Sequence, residues 1–250
     1  MHCCIRGSRV LWSAVVFLFV GLCILFLVLT AFSYKRIAKE AGALSAEIPA
    51  PRIVLDAGHG GEDGGAAAAS GMLEKEVNLS ITLVLQNLLE ASGFQVVMTR
   101  DADVDLGEKS LSSVRERKVS DLHNRRKLLE ETQNPMLISI HQNFFTEPQY
   151  SGAQIFYSTN LPESETLSFA IQNRIVSLLQ PENKREIKPA GESIYLLRNA
   201  QCPAVIVECG FLSNPEEAAK LSDEAYQKQM AFSIYCGILD YFAAAEAPQM

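Results

Sequence analysis

Cysteine, histidine and basic side chains are in short supply in this sequence, and each shortage excludes something. The six cysteines form no CxxC pair. Cys3, Cys4 and Cys23 fall in the first segment, while Cys202, Cys209 and Cys236 fall in the last third. An odd number in the second group argues against a disulfide framework, so these three read as small buried hydrophobes, and a Cys202–Cys209 bridge has no further support. Basic residues are outnumbered, 22 Lys and Arg against 29 Asp and Glu. Setting aside the five basic residues and one acidic residue of positions 1–40 leaves 17 against 28, a formal charge of −11 for 41–250. A surface of that sign excludes nucleic acid as a partner and disfavours sticking to anionic polymers. The chain also lacks internal repeats and low-complexity tracts. Apolar residues make up 48% of it, enough for a full core.

What it has is one long uncharged run, Val10–Tyr34. At about 1.5 Å per residue this run spans a bilayer core of roughly 30 Å. It exceeds the usual apolar region of a signal peptide, so a retained transmembrane anchor over 10–34 is preferred to a cleaved signal, although ALSA at Ala43–Ala46 resembles a cleavage site. Arg6 and Arg9 precede the run, and Lys35, Arg36 and Lys39 follow it. The balance of positive charge does not orient the segment, so orientation has to come from function. The expected organisation is a short N-terminal segment (1–9), an anchor (10–34), a linker rich in Ala and Pro (35–51) and one catalytic domain (52–244).

Within that domain strand and helix patterns alternate. Ile53–Leu55, Phe94–Thr99, Leu137–Ile140, Ala153–Tyr157 and Ala204–Val207 read as strands. Val77, Ile81, Val84, Leu85 and Leu88 recur at helical spacing before Gly93. Asp103–Lys118 reads as a surface loop passing into a helix that continues over Asp121–Glu131. Further helices are expected after Leu161-Pro162 through Leu179, from an Asn214 cap with Pro215 at the first position, and over about Ala225–Phe242. This order predicts an α/β domain: a twisted, mainly parallel mixed sheet with helices on both faces. Such sheets gather chemistry at the carboxyl ends of their strands.

Three residues fit that rule. His59 follows VLD inside a loop with five glycines (IVLDAGHGGEDGGA), His141 follows LISI, and Glu208 follows AVIV. Only four histidines occur, and two hold these places. His59 and His141 are candidate metal ligands through neutral imidazole. A catalytic zinc usually takes a third protein ligand and leaves a position open. MLEKEVN offers Glu74 and Glu76. Glu74 stands at the loop-to-helix junction and is favoured, whereas Glu76 in the first helical turn is explained by the helix dipole alone. Glu208 would then be a free carboxylate beside the metal, able to take a proton from water and return it to a leaving amine. A phosphate-cradling loop is the rival for the glycines, but no GxxxxGK[ST] pattern is present. Singly, each of these residues is more ordinarily a solvated or satisfied polar group; the argument rests on their coincidence. His123 in DLHNRRKLLEE reads as exposed on a charged helix face, with Arg125 and Arg126 solvated or salt-bridged. Asp56 is a candidate to hydrogen-bond a ligand histidine. Asn143 should face the same cleft as His141, and Cys209 should point away from Glu208.

DAGHGGEDGGA, LEKEVNLSITLVL, MTRDAD, ISIHQN and VIVECGFLSNPEE together resemble the zinc-dependent N-acetylmuramoyl-L-alanine amidases of bacterial cell walls, over about Arg52–Phe242. The short N-terminal anchor, SGAQIFY and ECGFLSNPEEAAKL are similar to the germination-specific, spore-cortex branch. The resemblance implies one zinc per chain held by His59, Glu74 and His141, with Glu208 as catalytic glutamate. It implies cleavage of the amide between the lactyl group of N-acetylmuramic acid and L-alanine in peptidoglycan, on the way to muramic-δ-lactam. Arg198 sits where some relatives have an arginine near the substrate. The chain departs in reading DAGHGG where many relatives read DPGHGG, and it has neither an inhibitory insert between His141 and Glu208 nor wall-binding repeats. Targeting would then fall to the anchor or to an accessory protein. Such a substrate places the domain outside the cytoplasmic membrane, including the space between two forespore membranes. A non-catalytic wall-binding module and a zinc peptidase acting on stem peptides are the competing readings.

Overall fold

The computed structural model describes residues 51–246 together with Phe26 and Thr30. The chain divides into two units, Met1–Pro49 and Ala50–Met250. The anchor expected over 10–34 lies outside the described residues apart from Phe26 and Thr30, both helical. No helix among the described residues is long and apolar enough to cross a membrane.

The second unit is an α/β sandwich. Six strands, β1 (Arg52–Ala57), β2 (Val96–Met98), β3 (Pro135–Asn143), β4 (Gln154–Tyr157), β5 (Lys188–Pro189) and β6 (Ala204–Phe211), form one sheet in the order β2-β1-β3-β6-β4-β5. Every neighbouring pair is parallel except β4–β6, which is antiparallel. The central strands are buried on both faces, which is why they read as continuous apolar runs. Their side chains alternate between two cores. Met136, Ile138 and Ile140 of β3, with Val205 and Val207 of β6, pack under α1 (Glu74–Ala91), α3 (Pro162–Leu178) and α6 (Glu224–Glu246). Leu137 and Ile206 face the other way, against Leu129 of α2 (Val114–Glu131) and Leu196 and Leu197 of α4 (Tyr195–Asn199). Each such buried aliphatic side chain contributes about 1.5–3 kcal/mol.

The second face is less completely covered, because α4 is one short turn and α2 lends little apolar surface. That face opens at the carboxyl ends of β3 and β6, and the polar residues of the site lie there. A short helix, α5 (Pro215–Leu221), follows the sheet and is capped as its sequence suggests: the Asn214 side chain accepts from the N–H groups of Glu216 and Glu217 at 2.9 and 3.1 Å.

Differences from the sequence expectation are local. Strand β2 is limited to Val96–Met98, and α2 begins at Val114, capped by Ser113, inside the stretch expected to be mainly loop. Neither β5 nor α4 was anticipated; two and five residues are too short for a periodicity to register. Cys202 and Cys209 are free thiols buried in different cores, so the bridge between them does not form.

Candidate metal centre and active site

The first turn after β1 carries His59 at φ 63°, a left-handed conformation uncommon for a side chain of its size and worth about 1–3 kcal/mol of strain. Several bonds hold it there. Asp63 Oδ2 lies 2.9 Å from His59 Nδ1, and the His59 carbonyl accepts from Arg125 Nη2 at 2.7 Å. Two buried arginines clamp the preceding carbonyls. Arg100 donates to Ala57 and Gly58, at 2.8 and 3.0 Å, and Arg125 donates to Ala57 at 2.9 Å. Lys75 ties the far side of the loop, donating to the Gly61 carbonyl and to Asp103, both at 2.7 Å. The glycine-rich stretch is therefore a fixed platform.

Two of its glycines are required by what they touch. A Cβ on Gly58 would lie 2.2 Å from His141 Nε2. Gly65 has φ 68°, and a Cβ there would lie 2.5 Å from Glu74 Oε2. Glu74 is the first residue of α1 and is buried. Its Oε1 lies 3.0 Å from His141 Nδ1 and accepts from the Gln142 N–H at 3.1 Å; its Oε2 lies 3.2 Å from His59 Nε2 and accepts from the Ala66 N–H at 2.9 Å. Burial alone would raise this carboxyl's pKa, but the two histidines outweigh burial and hold it well below the usual range. Burial likewise opposes charge on His59, and the Asp63 and Glu74 carboxylates overcome it, raising the imidazole to about 9. The two imidazole rings meet edge to face, centroids 5.1 Å apart. One donor atom each from His59, Glu74 and His141 lies within 4.8 Å of the others, and the three could hold a metal ion. Two imidazole nitrogens and one carboxylate oxygen are a donor set suited to catalytic zinc.

Glu208 stands opposite His141 in the parallel β3–β6 register, on the same sheet face. Its Oε2 is buried and has no hydrogen-bond partner. Burial pushes the carboxyl up to about 7, against the pull of His141.

The N-acetylmuramoyl-L-alanine amidase family model matches residues 53–240. The chain belongs to the N-acetylmuramoyl-L-alanine amidase family. The germination-specific N-acetylmuramoyl-L-alanine amidase of Bacillus subtilis is 39% identical over 196 residues, covering 78% of this chain and 81% of that protein. Among solved structures, the CwlD amidase of Clostridioides difficile, determined in complex with the GerS lipoprotein, is 41% identical with a TM-score of 0.75, covering 78% of this chain and all of that one. An N-acetylmuramoyl-L-alanine amidase from Clostridium difficile 630 is 30% identical, with a TM-score of 0.67 over 78% of this chain and 98% of that one. The protein is thus an amidase, a peptidoglycan hydrolase acting on the bond between N-acetylmuramic acid and L-alanine.

In this amidase Asp56 does not reach a histidine. It is fully buried and holds Arg125 at 2.6 Å, Thr99 at 2.8 Å and Ser139 instead. The carboxylate that orients a cluster histidine is Asp63, seven residues further along the same loop. Of the two options for Arg125, solvated or salt-bridged, the second holds: it is buried, bonded to Asp56 and Asp121, and its guanidinium supports the His59 loop. Its signal was the i, i+4 series Asp121–Arg125–Leu129, a narrow stripe on a helix otherwise too polar to show one. His123 is exposed, as expected, and packs beside Tyr195. Glu76 accepts from the Leu73 N–H at 3.2 Å and serves the helix end. Asn143 lies at the end of β3, past a register shift after His141, with its Oδ1 taken by the Phe144 N–H. Arg198 is exposed; it donates to the Glu192 carbonyl and lies over the Tyr195 ring, and none of its bonds reaches the cluster. Cys209 packs in the opposite core from Glu208.

Proposed function

We propose that this amidase holds one zinc ion through His59, Glu74 and His141 and uses Glu208 as its proton carrier. The observation that carries the reading is the buried, unpartnered Oε2 of Glu208 directly across the strand register from His141. A buried carboxylate oxygen without a partner is unfavourable unless something else is meant to meet it. Zinc, when bound, supplies Lewis acidity, polarising a carbonyl oxygen and making water more acidic.

Everything else falls to the chain's own side chains. Glu74 is locked by the Gln142 and Ala66 N–H groups, so its oxygens keep their direction. Asp63 fixes the ring orientation of His59. Glu208, raised by desolvation, accepts a proton from water as attack on the lactyl carbonyl begins. It then delivers that proton to the nitrogen of the departing L-alanine, so that the amine leaves neutral. Asn143 keeps its side-chain nitrogen free for the substrate.

The resemblance and the relatives support a setting for this activity. The substrate is spore-cortex peptidoglycan, and the freed lactyl carboxyl is the group from which muramic-δ-lactam can form. The chain is anchored by residues 10–34 with its catalytic domain on the extracytoplasmic side, as in the forespore intermembrane space. An accessory protein assists it, by analogy with the lipoprotein bound to the Clostridioides difficile relative.

The test is metal analysis of the purified full-length chain together with mass spectrometry of peptidoglycan digests. One zinc per chain and intact stem peptides released from muramic acid are expected. Split stem peptides would make the enzyme a peptidase. Zinc-loaded protein that binds cortex peptidoglycan without cutting it, even with its accessory protein supplied, would make it a wall-binding module.

A further inference from the structure

Arg185 is an arginine whose charge meets no carboxylate among the described residues. It lies in the loop between α3 and β5, and β5 runs parallel to β4. The first residue of β4, Gln154, stands opposite Glu208 in the β4–β6 register, so their Cα atoms are about 4.5–5.5 Å apart on one sheet face. Arg185 is bound to that same glutamine: its Nη2 donates to Gln154 Oε1 at 2.6 Å, and Gln154 Nε2 is in turn fixed on the Glu186 carbonyl at 2.8 Å. The guanidinium lies 4.8 Å above the ring of Phe211, three residues beyond Glu208 on β6. Its position is thus set on two sides.

Its charge and donors are left over. Nε is buried and unpartnered, and Nη1 makes no bond either. Among the described residues no carboxylate pairs with it, in a chain where acids outnumber bases. Arg100 is, by contrast, consumed by backbone carbonyls, and Arg125 by Asp56, Asp121 and the carbonyls of Ala57 and His59. Glu217 lies near enough to feel the charge of Arg185, but its oxygens are taken by the N–H groups of Gly152 and Phe211, at 2.9 and 2.8 Å. A planar guanidinium oriented by Gln154 and Phe211, with part of its fork unpaired and no carboxylate partner, at the catalytic end of the sheet, is suited to a carboxylate.

We infer that Arg185 binds a carboxylate of the stem peptide and sets the amidase's preference for acidic over amidated stems. The inference rests on the amidase reading above. The substrate's own chemistry supplies the side. The sugars are N-acetylated and neutral, and the lactyl carboxyl is consumed in the scissile amide. The anions of the substrate therefore lie on the peptide that leaves. Phe145 and Tyr150, about half exposed and packed against Phe211, continue the Arg185 side as an apolar wall for that peptide.

The experiment compares two substrates, N-acetylmuramoyl-L-alanyl-D-isoglutamate and its D-isoglutamine amide, with full-length wild type, R185Q and R185K. Wild type is expected to favour the free acid. R185Q should raise KM for the acid by on the order of 10–100-fold, the worth of a charge-assisted pair, with kcat, metal content and the amide's KM little changed. R185K should recover part of the loss, because it keeps the charge but not the fork. Equal kcat/KM for the two substrates in wild type, or an R185Q effect of the same size on both, would overturn the inference. If wild type cut neither substrate, even with its accessory protein supplied, the proposed function would be what failed. Calorimetry with the free dipeptide L-alanyl-D-isoglutamate would then decide on Arg185: binding lost in R185Q supports it, and equal binding by both proteins refutes it.

Discussion

His141 on β3 and Glu208 on β6 face each other in parallel register, and Glu208 keeps a buried carboxylate oxygen without a partner among the described residues. His141 is engaged by Glu74; Glu208 is held in place by its strand alone. That asymmetry separates a ligand role from a proton-carrying role. Glu208→Gln is nearly isosteric and leaves the three-residue cluster untouched. It should keep full metal content and lower kcat by about 10²–10⁴. Turnover near wild type, measured beside metal content on the same preparation, would remove Glu208 from the chemistry.

The pairing of Asp63 with His59 makes a second claim. Ring orientation by an outer carboxylate typically contributes 10–100-fold to metal affinity. Asp63→Asn should weaken zinc binding by about that factor in a competition titration with a chromophoric chelator, whereas His59→Ala or His141→Ala should abolish metal retention. An Asp63→Asn protein with unaltered affinity would mean that the Arg125 contact to the His59 carbonyl is sufficient to orient the loop.

The fates of Asp56 and Asp63 show what could be read from the sequence and what could not. Apolar runs followed by His59, His141 and Glu208 were legible because a two-sided core demands such runs, and a polar residue after one stands out, although β3 and β6 continue past His141 and Glu208 to Asn143 and Phe211. Which aspartate served the histidine was not legible. Both flank the same loop, and the choice depends on a positive φ at His59 that turns the ring toward Asp63. That Arg125 would be salt-bridged was legible as one of two options, but its burial was only faintly signalled, because α2 buries only Arg125 and Leu129, a narrow stripe on an otherwise polar helix. The placement of Arg185 was hidden for another reason: its neighbours Gln154 and Phe211 are distant in sequence and meet it only through sheet order.

Gly58 offers a steric test of the site that involves no titrating group. A methyl at this position would occupy the place of the His141 ring, with the nearest ring atoms at 2.2 Å. The ring has to move, because Gly58 itself is held by its N–H bond to the Ile140 carbonyl and by Arg100 on its own carbonyl. Gly58→Ala should therefore lose metal while remaining folded, with a stability loss of about 1–3 kcal/mol for the overpacking. Metal content at the wild-type level would mean that the strands can separate enough to accommodate the methyl.

The buried pair of Asp56 and Arg125 governs how the fold responds to acid. Burial alone would raise the Asp56 carboxyl. Arg125, His141 and the Ser139 hydroxyl more than offset it, so its pKa falls from 3.8 to about 2. A depressed acid contributes stability that is complete above its unfolded pKa and is lost as pH falls through its folded one. The loss therefore develops between roughly pH 4 and pH 2 and amounts to about 2 kcal/mol. Asp56→Asn removes this dependence and leaves Arg125 with Asp121 as its remaining carboxylate partner, at a cost of about 3–5 kcal/mol near neutrality. Denaturant melts of both proteins from pH 7 to pH 2.5 should show a large, constant gap above about pH 5 that narrows on acidification. A gap that stayed constant down to pH 2.5 would mean that the carboxylate of Asp56 is not the group Arg125 depends on, and that the carbonyls of Ala57 and His59 hold the arginine by themselves.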